Sequence, residues 1–216
     1  MRVGSLRDII RKAFEHEEKT LTFRRHLESH LKQKIPGHIF VDGDDDALTL
    51  LRFAMEYVQQ VPDFLDALRN AAKKASIEKH VFPFLKMAED YFLSPPKLPN
   101  NHVGLLALMD EAYLAHRLFE EVNDRYISRV GLPLIPWDMT LANVVAHSLI
   151  GEELANQLDE MVHQVACQMM EQEKHYDSPV FKDYLQSQKG NTVSVWQEWP
   201  CLSQQMGISW GFSHAH

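Results

Sequence analysis

Cysteine is nearly missing from this chain: 216 residues hold only Cys167 and Cys201. Two thiols exclude a disulfide framework, and their separation fits no zinc-binding spacing. A reducing compartment is therefore expected. Basic charge is also short. Twenty-two Lys and Arg face 30 Asp and Glu, for a formal net charge of -8 and a pI of about 5.8. Binding to nucleic acid or an anionic membrane needs a basic face to neutralise phosphates, so neither is expected as a partner. No apolar run approaches the ~18 residues of a membrane span. The opening stretch MRVGSLRDIIRKAFEHEE has no long apolar core and turns acidic by residue 15, so no secretory leader is expected in it. The expected location is the cytoplasm. Also missing are a Walker loop, G-x-G-x-x-G, G-x-S-x-G and H-E-x-x-H, the signatures of several nucleotide-binding and hydrolytic chemistries. Strand signals are almost absent, the best being TVSVW at 192–196.

What the sequence does have is helical periodicity. Apolar residues make up 45% and charged residues 24%, an ordinary globular balance, and the length suits one domain. A chain of this size buries about 70% of its unfolded surface and needs no staples. Ser5 and Asp8 mark the start of a helix over about 5–33, broken by IPGHIFVDGDDD at 35–46. A helix over 46–61 follows. Pro62 is expected to open another, to 74, and Ser76 a further stretch to 93, bent or restarted at Pro83. SPPKLPNN (94–101) is a loop, 102–129 a long helix, GLPLIP (131–136) a turn, 139–174 a second long helix, and 179–187 a short one. The fold class is all-α: a single bundle of six to eight helices over 1–187, with a central antiparallel hairpin at 102–172. An irregular tail, 188–216, holds Trp196, Trp199 and Trp210 and is expected to pack on the bundle or on a partner subunit.

Three features invite a chemical reading. The acids Asp42, Asp44, Asp45 and Asp46 resemble the start of a calcium loop. Ala47 and Phe53 stand where an EF-hand needs Gly and Glu, so helix capping is expected of them instead. Glu160 and His163 have the Glu-x-x-His spacing used in di-iron helix bundles. Twelve histidines and 30 acids in 216 residues give about 1.7 such spacings by chance, and one occurs. Such a site also wants a second copy of the motif, which is missing. Cys167 sits four residues after His163 but is expected to be a buried, inert thiol, because nothing basic is placed to activate it.

Helical-wheel positions say more than the motif. Along 102–129 the apolar stripe runs through Leu105, Leu108, Met109, Ala112, Phe119, Val122 and Tyr126, with His116 and Asn123 inside it. Glu111 and Glu120 flank that stripe, and Arg117, Glu121 and Arg125 face away. Along 139–174, Glu152 and Asp159 lie on one shoulder of the apolar face, with His163 further out and His147 on the other shoulder. In an antiparallel hairpin His116 is level with Glu152, and Asp159 and His163 lie one to two turns along. The expectation is a buried cross-helix pair with three readings: a structural contact, general acid/base work, or a metal centre of His116, Glu152, Asp159 and His163. The metal would be iron, manganese or zinc. Function is left between two hypotheses. One is a non-catalytic binding or interaction protein that recognises a protein or small-molecule ligand and forms a homo-oligomer. The other is a metal-dependent, oxidoreductase-like bundle enzyme.

Overall fold

The first break in the helical pattern comes at Leu21, which adopts a left-handed backbone (φ 52°). It divides the expected first helix into α1 (Val3–Thr20) and α2 (Thr22–Lys32). The buried Glu17 explains why the break is stable. Its carboxylate accepts the Phe23 N–H at 2.9 Å and the Arg24 N–H at 3.0 Å, so it caps α2 from the preceding helix.

A computed structural model describes residues 2–32, 39–41, 44–74, 78–97, 102–131, 138–170, 178–188 and 202–210. Those residues form an all-α bundle. After α2 come α3 (Asp46–Lys74), α4 (Glu78–Leu93), α5 (Leu105–Val130), α6 (Thr140–Ile150), α7 (Glu152–Met170), α8 (Pro179–Gln188) and the single turn α9 (Leu202–Gln205). Two three-residue strands, β1 (Ile39–Val41) and β2 (Ile208–Trp210), pair antiparallel, with Phe40 opposite Ser209. Leu202 and Ile208 are buried, so 202–210 folds back onto the bundle. Trp196, Trp199 and the expected TVSVW strand lie outside the described residues. No helix among the described residues is long and apolar enough to cross a membrane.

α5 is the hub. It packs against α1, α3, α4, α6 and α7, and its middle (Ala112, Leu114, Ala115, Leu118) is fully buried. Covered on most sides, it also buries polar residues, Asp110, Glu111, His116 and Asn123.

Two further expectations about helix boundaries are corrected. α3 runs unbroken through Pro62, where a new helix was expected. Proline withholds one N–H, from the Val58 carbonyl, at a cost of about 3 kcal/mol. Beyond it Phe64, Leu65 and Leu68 keep the same buried face, and at roughly 1.5–3 kcal/mol each their burial outweighs that cost.

The expected helix 139–174 is likewise two helices. Gly151, at φ 99° and ψ 138°, sits in a region open to glycine. Its N–H bonds the His147 carbonyl at 3.0 Å, and its carbonyl accepts the Ala155 N–H at 2.9 Å. One residue thus ends α6 and starts α7. The antiparallel hairpin of 102–172 is accordingly not found. α6 runs antiparallel to α5, with Glu120 beside Asn143 and Tyr113 beside His147. α7 turns back and runs parallel to α5: Tyr113 meets Asp159, Glu121 meets His163, and Arg125 meets Cys167.

Candidate functional site

The α5–α7 seam is polar. Tyr113, Arg117, Glu121 and Arg125 recur every four residues on α5, which places them in one row. The sequence pattern turned Arg117, Glu121 and Arg125 outward; the parallel α7 covers them instead, and Arg117 and Arg125 keep side-chain exposures of only 23% and 28%.

The upper part of this seam is a closed network. Arg117 Nε donates to Asp159 Oδ1 at 2.7 Å, and the Tyr113 hydroxyl donates to the same oxygen at 2.9 Å. Arg117 also bonds Glu120. Glu120 accepts from Asn143 Nδ2 at 2.6 Å and from the Thr140 hydroxyl at 3.0 Å. Asn143 Oδ1 in turn accepts the Tyr57 hydroxyl at 2.7 Å. His147 lies at the rim, its Nε2 3.2 Å from Asn156 Oδ1 and 4.0 Å from Asp159 Oδ2. Burial raises the Tyr57 and Tyr113 pKa values, with nearby carboxylates adding to the effect. For Arg117 burial opposes the charge, but Asp159 and Glu120 outweigh it and the pKa rises. Both phenols therefore stay neutral and Arg117 stays charged through neutral pH.

The four residues singled out from the sequence fall in different settings. His116 is buried at 1% exposure, with Nε2 2.9 Å from the Tyr57 carbonyl and its ring 4.3 Å from the Tyr57 ring, tilted by 49°. Burial lowers its pKa to about 4, against the opposing pull of that carbonyl, so it is neutral at pH 7. Glu152 is exposed at the first turn of α7, where acids complement the helix dipole. Asp159 is the acceptor of the Arg117 network, and His163 is exposed beside Glu121. The structure thus brings Asp159 to Tyr113 and Arg117, and gives His116 a backbone carbonyl. The expected levelling of His116 with Glu152 presumed antiparallel helices and goes with them. Among the described residues no three His, Cys, Asp or Glu side chains are grouped so as to hold a metal ion.

Cys167 needs correction. It is half-buried, and two basic side chains reach it. Arg125 Nη2 lies 3.0 Å from Sγ and His163 Nε2 lies 3.6 Å from it. Glu121 Oε1 accepts from Arg125 Nη2 at 2.8 Å and lies 3.2 Å from His163 Nδ1.

Deeper on α5 is a buried acid. Glu111 Oε2 has no hydrogen-bond partner among the described residues. Burial, helped by the adjacent Asp110 charge, raises the Glu111 pKa to about 8. Asp110 itself lies 2.7 Å from His102 Nδ1.

Two spaces adjoin these elements. One, between α3, α5 and Met139, holds about 10 Å³ bounded by Phe64, His116, Phe119, Glu120 and Asn123, enough for one water. The other is an open groove of about 400 Å³ between α1 and α3. Ile10, Phe14 and Pro62 form its apolar lining, and Arg7, Arg11, Glu15, Glu18, Gln59 and Asp63 its polar one. Both arginines are engaged: Arg7 with Asp63 at 2.8 Å and Asp66 at 3.0 Å, Arg11 with Glu15 at 2.7 Å and Asp8 at 3.5 Å. Counting the lining residues and these partners, five carboxylates face two guanidiniums. Comparison with protein families, with curated proteins and with solved structures finds no match to this chain.

Proposed function

We propose that this is a non-catalytic binding protein of the cytoplasm, and that its ligand is a compact organic amine held in the α1/α3 groove. The observation that carries the reading is the combination of an apolar lining with a rim that has a local excess of three carboxylates. The volume of about 400 Å³ is that of a small-molecule site. Ile10, Phe14 and Pro62 suit an apolar body. Glu18 has no ion-pair partner among the described residues and suits a cationic head. The overall charge of -8 favours cations over anions as they approach.

The upper part of the polar seam has a different role in this reading. Its donors and acceptors are engaged with one another and hold the register of α5, α6 and α7.

Isothermal titration with 2-phenylethylamine tests the proposal, with phenylacetate as the anionic counterpart of the same shape. The amine is expected to bind with a Kd on the order of 1 mM, or about -4 kcal/mol, as befits a fragment. Glu18→Gln and Phe14→Ala should each weaken it severalfold. Equal binding of amine and carboxylate, or no heat from either, overturns the proposal.

A further inference from the structure

We propose that Cys167 is a site of thiol–disulfide exchange that takes small organic disulfides. The inference is independent of the groove and rests on four side chains from two helices. Cys167 and His163 are one turn apart on α7; Glu121 and Arg125 are one turn apart on α5. The parallel packing of these helices sets the pairs against each other, giving the order nucleophile, base and orienting acid.

Each neighbour has a role fixed by its position. Cys167 lies three residues from the end of α7, where the helix dipole places negative charge and works against a thiolate. Arg125 Nη2, 3.0 Å from Sγ, supplies a compensating positive charge through a charge-assisted contact. His163 Nε2, 3.6 Å from Sγ, is placed to take the thiol proton. Glu121 Oε1, 3.2 Å from Nδ1, accepts the Nδ1–H and so keeps the Nε2 lone pair turned toward sulfur. The site is open to solvent: the His163 side chain is 56% exposed and Cys167 is half-buried.

The position also selects the reaction. Acyl transfer needs free donors for an oxyanion, and inside a helix the backbone N–H groups around Cys167 are already bonded. Displacement at sulfur needs no such donors. Cys167 Sγ passes its proton to His163 Nε2 and attacks one sulfur of the disulfide. A new Sγ–S bond forms, the original S–S bond breaks, and the second sulfur leaves as a thiolate. The disulfide is the only co-reactant.

The test uses the full chain carrying Cys201→Ser, so that one thiol remains. The release of nitrothiobenzoate from 5,5′-dithiobis(2-nitrobenzoate) gives the exchange rate at neutral pH, and intact mass after oxidised glutathione reads the adduct. Peptide mapping of the wild-type chain assigns the adduct without that substitution. The folded protein is expected to react faster than the denatured chain. Arg125→Met and His163→Asn should each slow the folded protein by about tenfold, the scale of one lost charge-assisted contact. His163 lies on the surface and its substitution should leave the melting temperature close to wild type, whereas Arg125 is partly covered by α7, so its variant is compared at a temperature where its circular dichroism shows it folded. Rates equal to wild type in both variants, folded reactivity no greater than that of the denatured chain, or an adduct found only on Cys201 overturns the proposal.

Discussion

Glu111→Gln should change stability in a way that depends steeply on pH. In the folded chain the Glu111 carboxyl titrates near 8, against the usual 4.5. Between those values the folded protein keeps a proton that the unfolded chain has released. Stability therefore falls as pH rises from 4.5, and the loss is complete above about 8. At about 1.4 kcal/mol per unit, the cost reaches about 3 kcal/mol at pH 7. Glutamine has the same shape and does not ionise. Its amide brings an unsatisfied-donor cost, but that cost is constant with pH. His116 titrates in the opposite sense: its lowered pKa of about 4 makes stability fall as pH drops below its usual 6.5. That slope is common to both proteins and cancels in the difference. Urea unfolding of variant and wild type at several pH values from 5 to 8 measures that difference. It should widen in favour of the variant by about 1.4 kcal/mol per pH unit. Parallel curves would show that Glu111 is already ionised in the folded chain, and the burial argument would fail.

Two further substitutions test the architecture. Gly151→Ala places a side chain at φ 99° with open space around it, so the cost is backbone strain without a clash, about 1–3 kcal/mol by urea unfolding. A neutral result would contradict a glycine-specific joint between α6 and α7. Asp159→Ala should cost about 1–3 kcal/mol, because the half-buried Arg117 loses one of its two carboxylates and keeps only Glu120, and the Tyr113 hydroxyl loses its acceptor. A compensating Arg117→Met in the same chain should recover much of that loss, and additive losses in the double variant would refute a coupled pair.

The helical class was legible because its signal repeats along the whole chain, as in the stripe Leu105, Leu108, Met109 and Ala112. The burial of His116 and Asn123 was readable in the same way, since both sit within that stripe. Joints between helices were less legible because each depends on one residue. Gly151 followed by Glu152 and Glu153 did carry a stop-and-start signal, a helix-ending glycine before an acidic first turn. The apolar period running across it masked that signal, and the error propagated. One long helix implied an antiparallel partner for α5, and that orientation set His116 against Glu152. With the chain reversed at Gly151, the residues level with α5 are Asp159, His163 and Cys167. The partners of those residues could not be read from α7 alone, because Arg117 and Arg125 look like solvent-facing residues on any wheel of α5. Pro62 misled for a similar reason: its local cost is visible in sequence, whereas the burial of Phe64, Leu65 and Leu68 that outweighs it depends on tertiary packing.

The central claim is that a cationic ligand enters the α1/α3 groove, and methyl and aromatic NMR during titration with 2-phenylethylamine tests it most directly. Saturable shifts of the Ile10 methyl and Phe14 ring signals are expected, with Leu158 and Val162 in the α7 core unmoved. Shifts confined to other residues, or none at Ile10 and Phe14 at saturating amine, would contradict it.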